Sequence, residues 1–194
     1  MNQKTTKMTT KTASIIAGLL LISSLIGQQQ IDAVVESDWI VLDPTTCENL
    51  FDGIWADGTC TSSENTFDGK IRVSDGVTWI IIGKFVNDGA IVIDGSATMV
   101  VNGWGTSSNG KVINNGVIVN DGTLECKRCG FSNQNTMINS GVIDNHFKMS
   151  SNNTFYNLGT IHNHDEFLNR GNFFSCEGTV AGNPIGINPP VPTC

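Results

Sequence analysis

MINSGVIDNHFKMSSNNTFYNLGTIHNHDEFLN, residues 137–169, carries one phrase twice. Asn139-Ser-Gly-Val-Ile-Asp-Asn-His146 returns eighteen residues later as Asn157-Leu-Gly-Thr-Ile-His-Asn-His164. The stretch divides into six-residue words, NSGVID (139), NHFKMS (145), SNNTFY (151), NLGTIH (157) and NHDEFL (163), and runs on into NRGNFF (169). Upstream lie NDGAIV (87), SNGKVI (108), NNGVIV (114) and NDGTLE (120). The fifth place is large and apolar: Phe85, Ile91, Val112, Ile118, Leu124, Met137, Ile143, Met149, Phe155, Ile161, Phe167 and Phe173. The first place is usually Asn, the third often Gly, and the even places are polar or small.

Alternate side chains of a strand face opposite ways, so places three and five share one face. A small and a large residue turned inward predict a thin, tightly packed core. Asn in the first place predicts a corner, because it tolerates positive φ and bonds backbone groups that a bend leaves unpaired. Short repeats without helical periodicity predict a solenoid. Eighteen residues make three words, hence three short strands and one turn of a triangular coil. Residues that far apart then stack about 4.8 Å apart, like on like. The predicted inner columns are Ile143/Ile161, Met149/Phe167/Ile185 and Met137/Phe155/Phe173. The fold class read from the repeat is all-β, a single-stranded β-solenoid (β-helix) of about eighteen residues per coil. Slips at Met99–Trp104 and Cys126–Ser132 favour a right-handed over a left-handed coil.

Outward from the repeat, residues 1–27 read as a secretory signal peptide. Lys4, Lys7 and Lys11 precede the apolar run Ala13–Ile26, with Gln28-Gln29-Gln30 after it. That run is short for a span, which takes roughly 20 apolar residues; retention as an anchor is the alternative reading. Cleavage takes the formal charge from −7 to −10. So acidic a chain argues against nucleic acid and anionic membranes as partners, and no stable membrane insertion is expected once the leader is removed. Residues 28–68 read as an N-terminal segment and cap, 69–186 as the solenoid, and 187–194 as a Pro-rich tail. Six cysteines in an exported chain read as disulfides. Their placement suggests nearest-neighbour pairing, Cys47 with Cys60, Cys126 with Cys129 and Cys176 with Cys194, among fifteen connectivities.

The words N-x-G-x-I-x, preceded by DGVTWIIIGKFVNDGAIVIDGSATMVV, resemble Asn/Gly-rich β-solenoid repeat proteins of archaeal surfaces and secretions, notably those of ammonia oxidisers. In texture they are also similar to haemagglutinin-type adhesin repeats. The resemblance covers roughly residues 69–190 and implies fold and export, with no catalytic residues to carry over.

In a three-word coil His146 stacks under His164, and Asp144 under His162, all outward beside the corners Asn145 and Asn163. Imidazoles and a carboxylate there are the ligand types of zinc, copper or nickel. Glu125 and Lys127 lie one coil below, and the lysine opposes a cation. Asp75, Asp88, Asp94 and Asp121 recur beside Gly at turns. Calcium takes such oxygens, yet the repeat motif that binds it between coils is absent, and turn chemistry explains Asp-Gly. No paired-acid cleft, G-x-S-x-G or phosphate loop points to an enzyme, and no cofactor is required. Tyr156 and Phe174 share an outer column, a candidate patch for sugar stacking or self-association. Asn152-Asn153-Thr154 is a glycosylation sequon. The reading is therefore a secreted or cell-surface structural or adhesive protein, with itself, envelope components or glycans as partners. Surface metal binding is the second reading, and a carbohydrate-active β-helix enzyme the third.

Overall fold

The computed structural model describes residues 39–63, 65–103 and 110–192. The leader and Cys194 lie outside the described residues. Among the described residues, no helix is long and apolar enough to cross a membrane. The chain is a β-solenoid of about six stacked coils of roughly 19 residues. Its strands form three sheets, each parallel apart from one N-terminal hairpin pairing.

Face one stacks Ile40–Val41, Lys70–Val73, Ala90–Ile93, Val117–Asn120, Thr136–Asn139, Thr154–Asn157 and Asn172–Ser175. Face two stacks Asn65–Phe67, Lys84–Asn87, Gly110–Asn114, Cys129–Asn133, Lys148–Ser151, Glu166–Asn169 and Gly186–Ile187. Face three begins with the antiparallel hairpin Ile54–Ala56 and Thr59–Ser62. It continues through Thr78–Ile82, Thr98–Asn102, Thr123–Cys126, Val142–Asn145, Thr160–Asn163 and Thr179–Gly182. Parallel stacking thus reaches back to Ile40, which pairs with Ile71.

The expected inner columns are present. Met137 pairs with Phe155 and Phe155 with Phe173, eighteen residues apart each time. Ile143 pairs with Ile161 and Met149 with Phe167. Ile185, 7% exposed, continues the last column through the register Leu168–Gly186. Like side chains stack because parallel strands in register put equal places of successive coils against each other. Phe155 and Phe173 stack with ring centroids 4.7 Å apart.

The period is not eighteen throughout. In the first coils Ile71 pairs with Ile91 and Trp79 with Met99, twenty apart. There the corner between faces one and three holds four residues instead of two, closed by Val77 N–H to Ser74 O (3.0 Å) and Ala97 N–H to Asp94 O (2.9 Å). This wider corner accounts for the phase of Met99, which is in register and buried; Trp104, the other end of the expected slip, lies outside the described residues, and across it Phe85 pairs with Val112 and Ile91 with Ile118, 27 apart.

Two sequence expectations about places in the word need correction. Asn in the first place does mark the corner, but no Asn among the described residues has positive φ. Its side chain turns inward and is buried: Asn114, Asn120, Asn139, Asn145, Asn157, Asn163 and Asn169 are all 0% exposed. Each amide links to the next coil. Asn120 donates to Asn139 and Asn139 to Asn157, both at 2.7 Å. On the other corners Asn87 donates to Asn114, Asn114 to Asn133, and Asn145 to Asn163, again at 2.7 Å. The second amide hydrogen reaches corner carbonyls, as from Asn145 to Glu166 O at 3.0 Å.

Gly in the third place is not an inward filler. A Cβ on Gly141 would lie 2.1 Å from Gly122 O, and one on Gly159 would lie 2.1 Å from Gly141 O. Glycine is required there because corner backbone presses on corner backbone of the coil below.

The N-terminal end is closed by helix α1 (Pro44–Phe51). Asp43 caps it by accepting from Thr46 N–H at 2.7 Å, and Pro44 opens it. Phe51 plugs the core against Phe67, Trp79 and Phe85, with centroids 4.8–6.3 Å apart. The Cys47–Cys60 disulfide ties helix to hairpin, Cys126 bonds Cys129, and Cys176 is also disulfide-bonded.

Candidate functional site

The corner between faces three and two brings the sequence candidates together. Asp144 is the last outward residue of the strand Val142–Asn145. Asn145 turns inward, and His146 emerges on the far side, its N–H held by Cys126 O at 2.9 Å. His162, Asn163 and His164 repeat this one coil on, with Asp144 paired to His162 and His164 N–H held by Asn145 O at 2.8 Å. The buried Asn145–Asn163 bond thus sets the height at which both imidazoles leave the corner.

Asp144 touches both neighbours. Its Oδ2 lies 3.1 Å from His146 Nε2, and its Oδ1 lies 3.0 Å from His164 Nε2. The second contact has ion-pair distance without hydrogen-bond direction: Oδ1 is buried and accepts no hydrogen bond. The rings of His146 and His164 stack 4.5 Å apart at 6°. Among the described residues, Asp144, His146 and His164 form a group whose ligand atoms all lie within 4.8 Å of one another. His162 does not join it; its ring is exposed, with its centroid 6.4 Å from that of His164. Beneath, Lys127 Nζ pairs with Glu125 Oε2 at 3.3 Å. The Cys126–Cys129 disulfide closes the corner just below.

The acidic turns do not converge. Asp75 Oδ1 accepts from Ser96 N–H and Oγ at 2.8 and 2.9 Å. Asp88 Oδ1 accepts from Asn115 at 2.8 Å, and Asp94 pairs with Arg72 at 3.0 Å. Burial raises the pKa of Asp121 above the usual carboxylate value. The charge of Asp94 adds to that shift, while the Ser140 hydroxyl and Arg72 oppose it. These carboxylates bond within and between turns, the role that turn chemistry assigns them.

Tyr156 and Phe174 do stack, at 5.2 Å and 17°, but both are half-buried rather than exposed. Burial raises the Tyr156 hydroxyl pKa. The tail covers part of the column, since Val191 bridges to Phe174 and its carbonyl accepts from Ser175 N–H at 2.8 Å. Asn152 is exposed at the corner between faces two and one.

A surface that word-by-word reading missed is the outside of face one. Its first full strand carries Lys70 and Arg72 outward, but in the coils that follow Ala90, Val92, Val117, Val119, Thr136, Ile138, Thr154, Tyr156, Asn172 and Phe174 carry no charge. Face two shows Lys84, Lys111, Lys148 and Glu166 over the same height, and face three Glu125, Asp144 and His162. The signal was in the sequence: these are fourth and sixth places of every third word. No family model, no curated protein and no solved structure matches the chain.

Proposed function

We propose that this chain is an exported structural and adhesive module of a cell surface, which associates with copies of itself through face one. The observation that carries the reading is the uncharged outer surface of face one from Ala90 to Phe174, bounded below by Lys70 and Arg72, against the lysines of face two and the acids Glu125 and Asp144 of face three. A flat sheet face of β-branched and aromatic residues packs on a second one at about 10 Å. Disulfides at the cap and at one corner suit an oxidising, extracellular setting. The interior is filled by buried apolar columns and Asn ladders, which suits a scaffold.

The test is sedimentation of the mature chain over a range of concentrations, beside the double variant Ile138→Glu, Tyr156→Lys. Concentration-dependent association that the variant abolishes is expected. A wild-type chain that stays monomeric throughout, or a variant that associates equally, overturns the role of face one. Fractionation of expressing cells tests export separately: the mature chain belongs in the envelope or medium with oxidised cysteines. Accumulation of the uncleaved chain in the cytosol overturns that part.

A second reading, metal binding at the surface, is favoured by one specific observation. Two imidazole nitrogens converge on the Asp144 carboxylate from consecutive coils.

A further inference from the structure

The geometry points to a three-ligand site for a divalent transition ion, zinc or copper, at Asp144, His146 and His164, in which the ion ties two neighbouring coils together. The inference rests on the metal-binding reading above and adds to it the ligand set, the ion class and the mechanical consequence.

Three features of the corner carry it. First is spacing. Zinc bound tetrahedrally at 2.0–2.2 Å keeps its ligand atoms roughly 3.3 Å apart. Asp144 oxygens already lie 3.1 and 3.0 Å from the two Nε2 atoms. Second is the unmet acceptor: Asp144 Oδ1 is buried without a hydrogen bond, although an imidazole nitrogen is within reach. A bound cation satisfies that lone pair without needing an N–H directed at it. Third is the stacking of the two imidazoles, 4.5 Å apart and nearly parallel. Strand spacing in the solenoid imposes that separation, and a modest swing of either ring aims both nitrogens at one point.

The donor set selects the ion. Two imidazoles and one carboxylate suit zinc and copper, whereas calcium and magnesium favour all-oxygen cages. The remaining coordination positions face solvent, since the side chains of His146 and His164 are 41% and 52% exposed. Lys127, which at the sequence level opposes a cation here, is paired to Glu125.

The position of the ligands gives the consequence. Asp144 and His146 belong to one coil and His164 to the next, so the ion adds a cross-link parallel to the Asn145–Asn163 bond. One coil further on, Thr179–Gly182, the last strand of face three, is exposed at all four residues and pairs with the tied strand Thr160–Asn163.

The full mature chain is titrated with Zn(II) and with Cu(II), with Ca(II) and Mg(II) as controls, by calorimetry and thermal melts. Backbone hydrogen exchange is followed with and without Zn(II). Expected are one ion per chain, a raised Tm, and slower exchange of the Val142–Asn145 and Thr160–Asn163 amides. Asp144→Asn, His146→Ala and His164→Ala should each lower affinity by about tenfold or more, and His162→Ala by less than about twofold. His146 and His164 are exposed and Asp144 is half-buried, so circular dichroism of each apo variant checks that it folds. If neither ion binds, the inference and the metal-binding reading fall together. If binding persists in the Asp144, His146 and His164 variants, the reading stands and this site is overturned. If those variants lose binding but the ion slows no exchange, the ligand set stands and the coil tie is overturned.

Discussion

Asn139 is the middle rung of a ladder, accepting from Asn120 and donating to Asn157 inside a corner with no exposed surface. Replacing it with Leu keeps the volume and leaves one donor and one acceptor buried without partners. Each unpaired group costs about 1–3 kcal/mol, so Asn139→Leu should lower unfolding free energy by about 3 kcal/mol, read from urea melts. Asp121 makes the opposite case. Burial raises its pKa, so its ionised form is disfavoured in the folded chain. The stability this costs is present above the folded pKa, shrinks as pH falls through it, and is gone below the ordinary 3.8, where both states are protonated. Asp121→Asn should therefore raise Tm at neutral pH and leave it unchanged below pH 3.8. Which residue type occupies each place of the word was legible in the sequence; what crowds that place was not. Asn was read as a corner bonding to backbone, and Gly as an inward gap, because a period reports which residues point the same way. It does not report that a Cβ on Gly141 would lie 2.1 Å from Gly122 O.

At the scale of elements, the strands were legible because each is short, regular and repeated. A cap over residues 28–68 was expected, but the helix inside it was not, because it occurs once. Helix α1 has a starting signal in Asp43-Pro44, yet its value lies in where Phe51 lands, among Phe67, Trp79 and Phe85. An end of a solenoid exposes both strand edges and core, and this aromatic plug covers the core. Phe51→Ala should cost about 3–5 kcal/mol, measured by chemical denaturation with the disulfides intact. A loss below about 1 kcal/mol would mean that the hairpin and the Cys47–Cys60 bond close the end without it. The wider corners at Ser74–Val77 and Asp94–Ala97 were also visible, as SDGV and DGSA. They stack on each other through Asp75 and Ser96, so two coils lengthen together and stay in register. That partnership is what converts an apparent slip of the repeat into a regular feature.

For the whole molecule, the repeat of residues 137–169 was enough to specify a three-sided stack with like above like. Parallel pairing in register leaves no other arrangement for copies eighteen residues apart. It also placed Asp144, His146, His162 and His164 on one outer corner, since stacking follows directly from the interval. Selection among those four came only from three dimensions. The interval pairs His146 with His164 and Asp144 with His162 on either side of the buried Asn145–Asn163 bond, but only the side-chain directions show that Asp144 reaches across to both imidazoles and that His162 stays outside the group. The uncharged stretch of face one from Ala90 to Phe174 had a signal in the fourth and sixth places of every third word, but its meaning as one surface came from the fold. Its residues are scattered through every third word, and only closure of the triangle sorts the three outer surfaces from one another. Local periodicity decides which way a side chain points; the path of the coil decides what it meets.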